Sequence, residues 1–158
     1  MKEQKRYPAA VCCVIALVLM VIALLTGGGQ KPAPFGPPEF ESKAVSGVPD
    51  VPDGLGWSEL DVQVFRASVC GFIRLQDSAA DIWLTNPAGS KVWIKLRMLD
   101  ENGVVLGETG LLRPGEYVRS VTLNSVPKPG MGIVLKLMAY EPETYRSAGA
   151  VSVSTTIE

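Results

Sequence analysis

The feature that most constrains this chain is an apolar stretch near its N-terminus, Ala9–Leu25, in which seventeen consecutive residues lack a polar side chain. A helix of that length is roughly 26 Å long, close to the about 30 Å of a bilayer's hydrocarbon core. The apolar regions of signal peptides usually run about 7–15 residues, which is shorter. We therefore expect residues 9–26 to form a transmembrane helix, or uncleaved signal anchor, in the lipid bilayer. Cleavage after Gly29 is the alternative.

The charged residues around the apolar stretch predict its orientation. Lys2, Lys5 and Arg6 precede the stretch, whereas Lys31 is the only cation close behind it. The positive-inside rule then predicts a single-pass protein of the cell membrane. Residues 1–8 would be a cytoplasmic basic tail, and the C-terminal domain would be extracytoplasmic.

Residues 27–56 are rich in glycine and proline, which predicts an extended linker. Gly27–Gly29 is a run of three glycines that disfavours continuation of the helix. Six prolines follow between Gln30 and Asp53. Each proline fixes its own φ and moves the preceding residue out of the α region.

Residues 57–158 show the pattern of an all-β domain. In Ser90–Leu99, apolar residues at even positions alternate with Lys95 and Arg97, and the turn sequence Asn102–Gly103 follows shortly after. The expected strands lie in residues 61–75 (two strands, or one bent at Gly71), 80–85, 90–99, 104–106, 117–123, 133–140 and 150–157. We expect an antiparallel immunoglobulin-like β-sandwich of about seven strands, with a small barrel as the alternative.

The cysteines allow no disulfide within the β domain. Cys12 and Cys13 lie in the apolar stretch, and Cys70 is alone in the rest of the chain. Stability must then come from a hydrophobic core, in which we expect Cys70 to be a buried small apolar residue.

The chemistry of the side chains argues against an enzyme. The chain has no histidine, which removes the usual general base and most zinc sites. The acidic pairs Asp77 with Asp81 and Glu141 with Glu143 lack a diagnostic spacing for a glycosidase or a calcium site. The sequence therefore predicts no catalytic residue, no cofactor and no metal. The near balance of 15 Lys and Arg against 16 Asp and Glu argues against nucleic acid as a partner.

Aromatic residues are the best candidates for a contact surface. Trp93 and Tyr140 fall on the outward phase of the two clearest strands, although packing on the sheet surface also explains them. The segment Glu141–Gly149 adds Tyr145 and Arg146 next to acidic residues. We take Trp93, Tyr140, Tyr145 and Arg146 as the predicted interaction residues.

The order of these features resembles a known group of proteins. The residues that carry the resemblance are Asn86–Pro87, the segment from Gly110 to Gly115, and the segment from Pro129 to Tyr140, after a basic start, an apolar segment and a polar spacer. The chain resembles a loosely defined group of small single-pass proteins of Firmicutes-type bacteria, often found near mobile or conjugative elements. The resemblance implies a surface-exposed, membrane-tethered β domain and transfers no catalytic residue.

Two functions are compatible with these features. We expect an anchored interaction protein of a bacterial cell envelope, which binds a protein partner or other copies of itself. The alternative is a carbohydrate- or cell-wall-binding module, in which exposed Trp or Tyr rings stack on a cell-wall glycan.

Overall fold

The computed structural model describes residues 36–158 of the chain. The predicted cytoplasmic tail, transmembrane helix and first part of the linker lie outside the described residues. Residues Pro37–Glu158 form one compact unit. Every regular element in the described part is a β-strand, which confirms the all-β prediction. No helix within residues 36–158 is long and apolar enough to cross a membrane.

Ten strands make up two sheets, and the pairings between the named strands are antiparallel. The strands are β1 (Val45–Ser46), β2 (Ser58–Val62), β3 (Phe65–Val69), β4 (Arg74–Gln76), β5 (Ala79–Thr85), β6 (Trp93–Asp100), β7 (Val105–Glu108), β8 (Glu116–Thr122), β9 (Gly132–Tyr140) and β10 (Ser147–Thr156). The first sheet has the order β1-β8-β5-β3-β2, with β4 paired to β5. The second sheet has the order β10-β9-β6-β7.

The second sheet follows the predicted alternation closely. In β6 the side chains of Ile94, Leu96 and Met98 are fully buried, while the residues between them are half-buried. β9 repeats this pattern, with buried Ile133 and Leu137 on the same face. Period-two burial of this kind places one face of each strand in the core and the other toward solvent.

The first sheet is less regular because β5 contains a bulge. The register between β5 and β8 shifts between Asp81 and Leu84, and Trp83 has a positive φ of 46°. This conformation is unusual for a bulky residue and needs support from its surroundings. The Trp83 carbonyl accepts hydrogen bonds from the Trp57 indole at 2.9 Å and from the Thr85 hydroxyl at 3.2 Å. These two bonds fix the bulge.

Both sheets contribute to a single hydrophobic core, which makes the fold sandwich-like. The chain passes from β5 to β6 through a turn at Asn86, whose side chain is fully buried. The Asn86 amide nitrogen donates to the carbonyls of Val92 at 2.9 Å and Leu112 at 3.0 Å. The side chain thereby ties the end of one sheet to the start of the other.

The structure differs from the prediction in strand number and in where the β unit begins. Residues 36–158 contain ten strands instead of about seven, because β1, β2 and β4 are short or lie in segments without a clear period. Residues 37–56, part of the predicted linker, belong to the compact unit. The Glu41 backbone nitrogen donates to the Leu111 carbonyl at 2.9 Å, and the Glu41 carboxylate accepts from the Gly110 nitrogen at 2.7 Å.

Cys70 is fully buried and is not in a disulfide, as predicted. Burial, together with the nearby Asp81 carboxylate, raises the pKa of the Cys70 thiol to about 11. The thiol is therefore neutral near pH 7 and acts as a small apolar residue of the core.

Candidate functional site

Aromatic side chains gather at one end of the second sheet. Trp93 begins β6 and Tyr140 ends β9, and the two residues are direct cross-strand partners on the outward face. Cross-strand partners have Cβ atoms about 4.5–5.5 Å apart, so these side chains share one patch of surface. Both residues are half-buried. The structure thus places these two predicted residues side by side.

Tyr145 joins them through the loop between β9 and β10. Its ring centroid lies 5.2 Å from that of Trp93, with the ring planes tilted by 60°. The loop holds two unusual backbone conformations, with φ of 65° at Glu143 and 55° at Tyr145. The Tyr145 nitrogen donates to the Glu141 carbonyl at 3.1 Å, which helps to maintain this shape. Strained residues of this kind persist where the surrounding structure fixes them, and they are frequent at functional sites.

Two further residues, Phe40 and Arg113, were missed by the sequence analysis. The Phe40 ring packs edge-on against Trp93, with 4.8 Å between centroids and 76° between planes. The Arg113 guanidinium carbon lies 3.6 Å from the centre of the Phe40 ring, a cation–π contact. Phe40 lies in a proline-rich segment without periodicity, and Arg113 lies in a turn. Neither position carried a signal that could link it to Trp93.

We call the four rings of Phe40, Trp93, Tyr140 and Tyr145 the aromatic cluster. Arg146 is adjacent in sequence but does not join it by its side chain. The Arg146 side chain is exposed and makes no hydrogen bond or ion pair with any residue between 36 and 158. Its backbone carbonyl accepts from the Glu141 nitrogen at 2.8 Å. Arg146 is thus available to a partner at the rim of the cluster.

A charged group continues the same face of the sheet. Glu108 lies 2.9 Å from the Lys95 ammonium and 2.8 Å from the Arg97 guanidinium. Partial burial opposes ionisation of Glu108, but the hydrogen bonds from the two cations outweigh it and hold the pKa of this carboxyl below its ordinary value. The face therefore combines an aromatic end with an ionic centre in which one carboxylate is shared by two cations, which leaves a net positive charge.

A recess lies in the first sheet, next to the bulge. It has a volume of about 270 Å³ and is lined by Lys43, Val45, Trp83, Tyr117 and Arg119, among others. Trp83 and Tyr117 stack with 6.1 Å between centroids. The Trp83 indole nitrogen is buried without a hydrogen-bond partner within the described residues. However, both cations at the recess already have partners: Arg119 binds Asp81, and the Lys43 ammonium donates to the Thr122 hydroxyl at 3.4 Å.

The carboxylates do not assemble into a reactive group. Asp81 is buried and accepts hydrogen bonds from Arg119 and Gln76, while Asp100 binds backbone nitrogens of its own turn. Glu141 accepts a hydrogen bond from the Thr144 hydroxyl at 3.0 Å, within its own loop. Over residues 36–158, no group of three or more acidic or cysteine side chains could hold a metal ion.

Comparison with known proteins added no relationship to these observations. The chain matches no protein-family model, and neither the curated proteins nor the solved structures gave a match.

Proposed function

We propose that the chain is a membrane-anchored, extracytoplasmic interaction protein of a bacterial cell envelope, with no catalytic role. The N-terminal apolar stretch would hold it in the membrane, and the β unit would present the aromatic cluster to a protein partner. The observation that carries the proposal is the assembly of this cluster from separate segments of the chain, with the Arg113 guanidinium on one of its rings.

The topology supports an immunoglobulin-like architecture for the β unit. The order β3-β5-β8 in the first sheet corresponds to strands A-B-E of such sandwiches. The order β10-β9-β6 in the second sheet corresponds to strands G-F-C, and β7 takes the place of C′. Domains of this architecture commonly use sheet faces and end loops for binding, and the aromatic cluster lies where a face meets a loop.

The composition of the cluster suits a protein partner. Trp, Tyr, Phe and Arg are enriched in the buried centres of protein interfaces, and Trp, Tyr and Arg dominate their binding energy. The four rings are half-buried, and those of Phe40, Trp93 and Tyr145 contact one another, so little side-chain entropy would be lost on binding. The strained loop that positions Tyr145 adds to this preorganisation.

A carbohydrate- or cell-wall-binding module is the second candidate, because exposed aromatic rings also stack on sugars. The planes of Phe40 and Tyr145 are tilted by 76° and 60° from that of Trp93. Tilted rings do not make the flat platform that a sugar ring prefers, which favours the protein partner. Retention on cell-wall material that is lost in Trp93→Ala and Tyr140→Ala would reverse this preference.

The test is crosslinking of the tagged full-length chain in intact cells, followed by solubilisation, pull-down and mass spectrometry. We expect a defined partner at constant stoichiometry, captured at least about tenfold less by Trp93→Ala, Tyr145→Ala and Arg146→Ala. Tyr117→Ala is the matched control, since it removes a half-buried aromatic ring from the other sheet. Equal capture by all variants would refute a role for the cluster. Peptides from before Gln30 in the same spectra would show that the N-terminal segment is retained.

A further inference from the structure

β10 is a long edge strand that, apart from a register shift at its start between Ser147 and Gly149, lacks the usual protection of a sheet edge. Its ten residues, Ser147–Thr156, pair with β9 on one side only. They include no charged residue and no proline. Soluble proteins usually protect edge strands with charges, prolines, bulges, short length or a covering segment, because a bare edge pairs with other strands.

The other edges of the described unit show that protection. β1 has two residues and β4 has three. β2 carries Glu59 and Asp61, each in an ion pair with Arg66. β7 has four residues, and its Leu106 carbonyl already accepts the Asn124 nitrogen at 2.7 Å. Among the strands of residues 36–158, β10 is therefore the exception.

The hydrogen bonds at the end of β10 show which backbone groups face the open side. The Ile157 nitrogen donates to the Met131 carbonyl, and the Ile157 carbonyl accepts from the Gly130 nitrogen, so Ile157 turns both groups toward β9. The next residue, Glu158, turns the other way and donates to Ile73 at 3.0 Å. Backbone groups alternate in direction along a strand. Ser152 and Ser154 therefore point their backbone groups to the open side.

We propose that the open side of β10 pairs with β10 of a second copy of this chain, in antiparallel orientation about a twofold axis at Ser152. The two four-stranded sheets would then become one continuous sheet. The inference rests on the proposed function as an interaction protein and names the surface for its self-association. It can fail while the aromatic cluster still binds another protein.

The sequence of β10 fits itself in this register. An axis at Ser152 places Ser152 opposite its own copy, Val151 opposite Val153, and Ala150 opposite Ser154. Opposed residues lie on the same face of a sheet, so the two valines of each copy stay on the core side and the serines on the solvent side. A second copy is favoured over an unrelated strand, because β10 is already complementary to itself in this register.

Exposed apolar side chains flank both ends of the open edge. Val64 lies against Gly149 near the start of β10 and is 62% exposed. Phe72 is 48% exposed and follows Gly71, whose carbonyl accepts a hydrogen bond from the Thr155 hydroxyl. Pairing along one strand is still smaller than the about 1,200 Å² of a stable interface, so we expect a weak, micromolar dimer.

The experiment is sedimentation velocity on the purified full-length chain in density-matched detergent, over about 1–100 µM to bracket a micromolar Kd. Ser152→Pro removes the outward N–H at the axis without removing a bond to β9, and it should abolish the dimer. Ser152→Lys and Ser152→Glu each bring like charges together and should each weaken the dimer roughly fivefold, while an equimolar mixture of the two should restore a heterodimer. Ser58→Lys, on the edge strand β2, is the matched control.

Circular dichroism would reveal whether Ser152→Pro fails to fold. In that case the Ser152→Lys and Ser152→Glu variants still test the inference. A dimer that depends on Ser152, resists Ser58→Lys and is restored by the Lys and Glu mixture supports β10 pairing. A native chain that stays monomeric overturns it, as does a dimer with equal affinity in all variants, which the apolar N-terminal stretch could cause. A monomer that captures a strand of another protein on this edge also overturns it.

Discussion

The two sheets bury their residues in different ways. In β6 of the second sheet, buried and half-buried residues alternate from Trp93 to Met98. In β5 of the first sheet, every residue from Ala80 to Thr85 is buried, whichever face it lies on. The second sheet therefore has one buried face, while the central strand of the first sheet is buried on both faces.

The polar groups of the sheets differ in the same way. The Asp81 side chain of the first sheet is 7% exposed, and its carboxylate is bound by the Arg119 guanidinium through two 3.2 Å hydrogen bonds. The Glu108 carboxylate of the second sheet binds two cations at similar distances, but its side chain is 38% exposed. The second sheet thus depends on apolar alternation, whereas the first also needs specific polar contacts.

The largest expected effect is the loss of a core side chain from the second sheet. Leu96 is fully buried in the middle of β6, so Leu96→Ala should lower the free energy of unfolding by about 2–5 kcal/mol. Lys136→Ala, on the outward face of β9, should change it by about 0.5 kcal/mol or less. Urea unfolding followed by tryptophan fluorescence measures both values. Similar losses of unfolding free energy in the two variants would contradict the view that the second sheet depends on its buried apolar face.

The next effect is the loss of the ion pair between the buried Asp81 carboxylate and the half-exposed Arg119 side chain of the first sheet. Arg119→Leu leaves the Asp81 carboxylate with Gln76 as its remaining side-chain donor, so we expect a loss of about 1–3 kcal/mol of unfolding free energy. Arg66→Leu is the matched control, because the ion pairs of Arg66 are exposed and should be worth about 0.5 kcal/mol or less.

A double-mutant cycle with Asp81→Asn separates the effect of the Arg119 charge from the effect of its packing. The neutral amide needs no cation, so Arg119→Leu should cost clearly less in the Asp81→Asn background than in the native chain. Equal costs in both backgrounds would mean that Arg119 acts by packing against Trp83 and not by its charge.

The same contrast explains what the sequence could predict of the fold. β6 and β9 were located to within a few residues, because one dry face gives a period of two that is visible in the sequence. β5 was located as well, but its bulge was not. A strand that is buried on both faces shows no alternation in its sequence, so a bulge leaves no visible interruption. β1 was missed because its two residues pair with β8 through the backbone alone.

The aromatic cluster likewise contains residues that the sequence could predict and residues that it could not. Trp93 and Tyr140 could be predicted to face outward, because both lie in strands with regular alternation of apolar and polar residues. Tyr145 was found as a member of a loop of unusual composition. Phe40 and Arg113 could not be found, because their place depends on the docking of residues 39–41 beside Gly110. That contact needs a glycine, since a Cβ at Gly110 would overlap the Glu41 backbone, and a glycine in a loop does not reveal its neighbour.

The third prediction concerns the support of the bulge. Trp57→Phe removes the indole hydrogen bond to the Trp83 carbonyl and keeps an aromatic ring, so it should cost about 1 kcal/mol of unfolding free energy. Amide hydrogen exchange should speed up in β5 and leave β9 unchanged. Faster exchange spread evenly over both sheets would argue that Trp57 supports the core and not the bulge.

The weakest effect should be the loss of the partly exposed charge cluster on the second sheet. Glu108→Gln should cost about 0.5 kcal/mol of unfolding free energy at pH 7, because solvent screens a partly exposed pair. The pKa of Glu108 is lower in the folded chain than its ordinary value, so its contribution is present above about pH 4.3 and is lost as the pH falls further. The difference between native chain and variant should therefore shrink below that pH, and also in 1 M salt. A cost that matches that of Arg119→Leu, or that survives high salt, would mean that the charge clusters of the two sheets are equivalent despite their different burial.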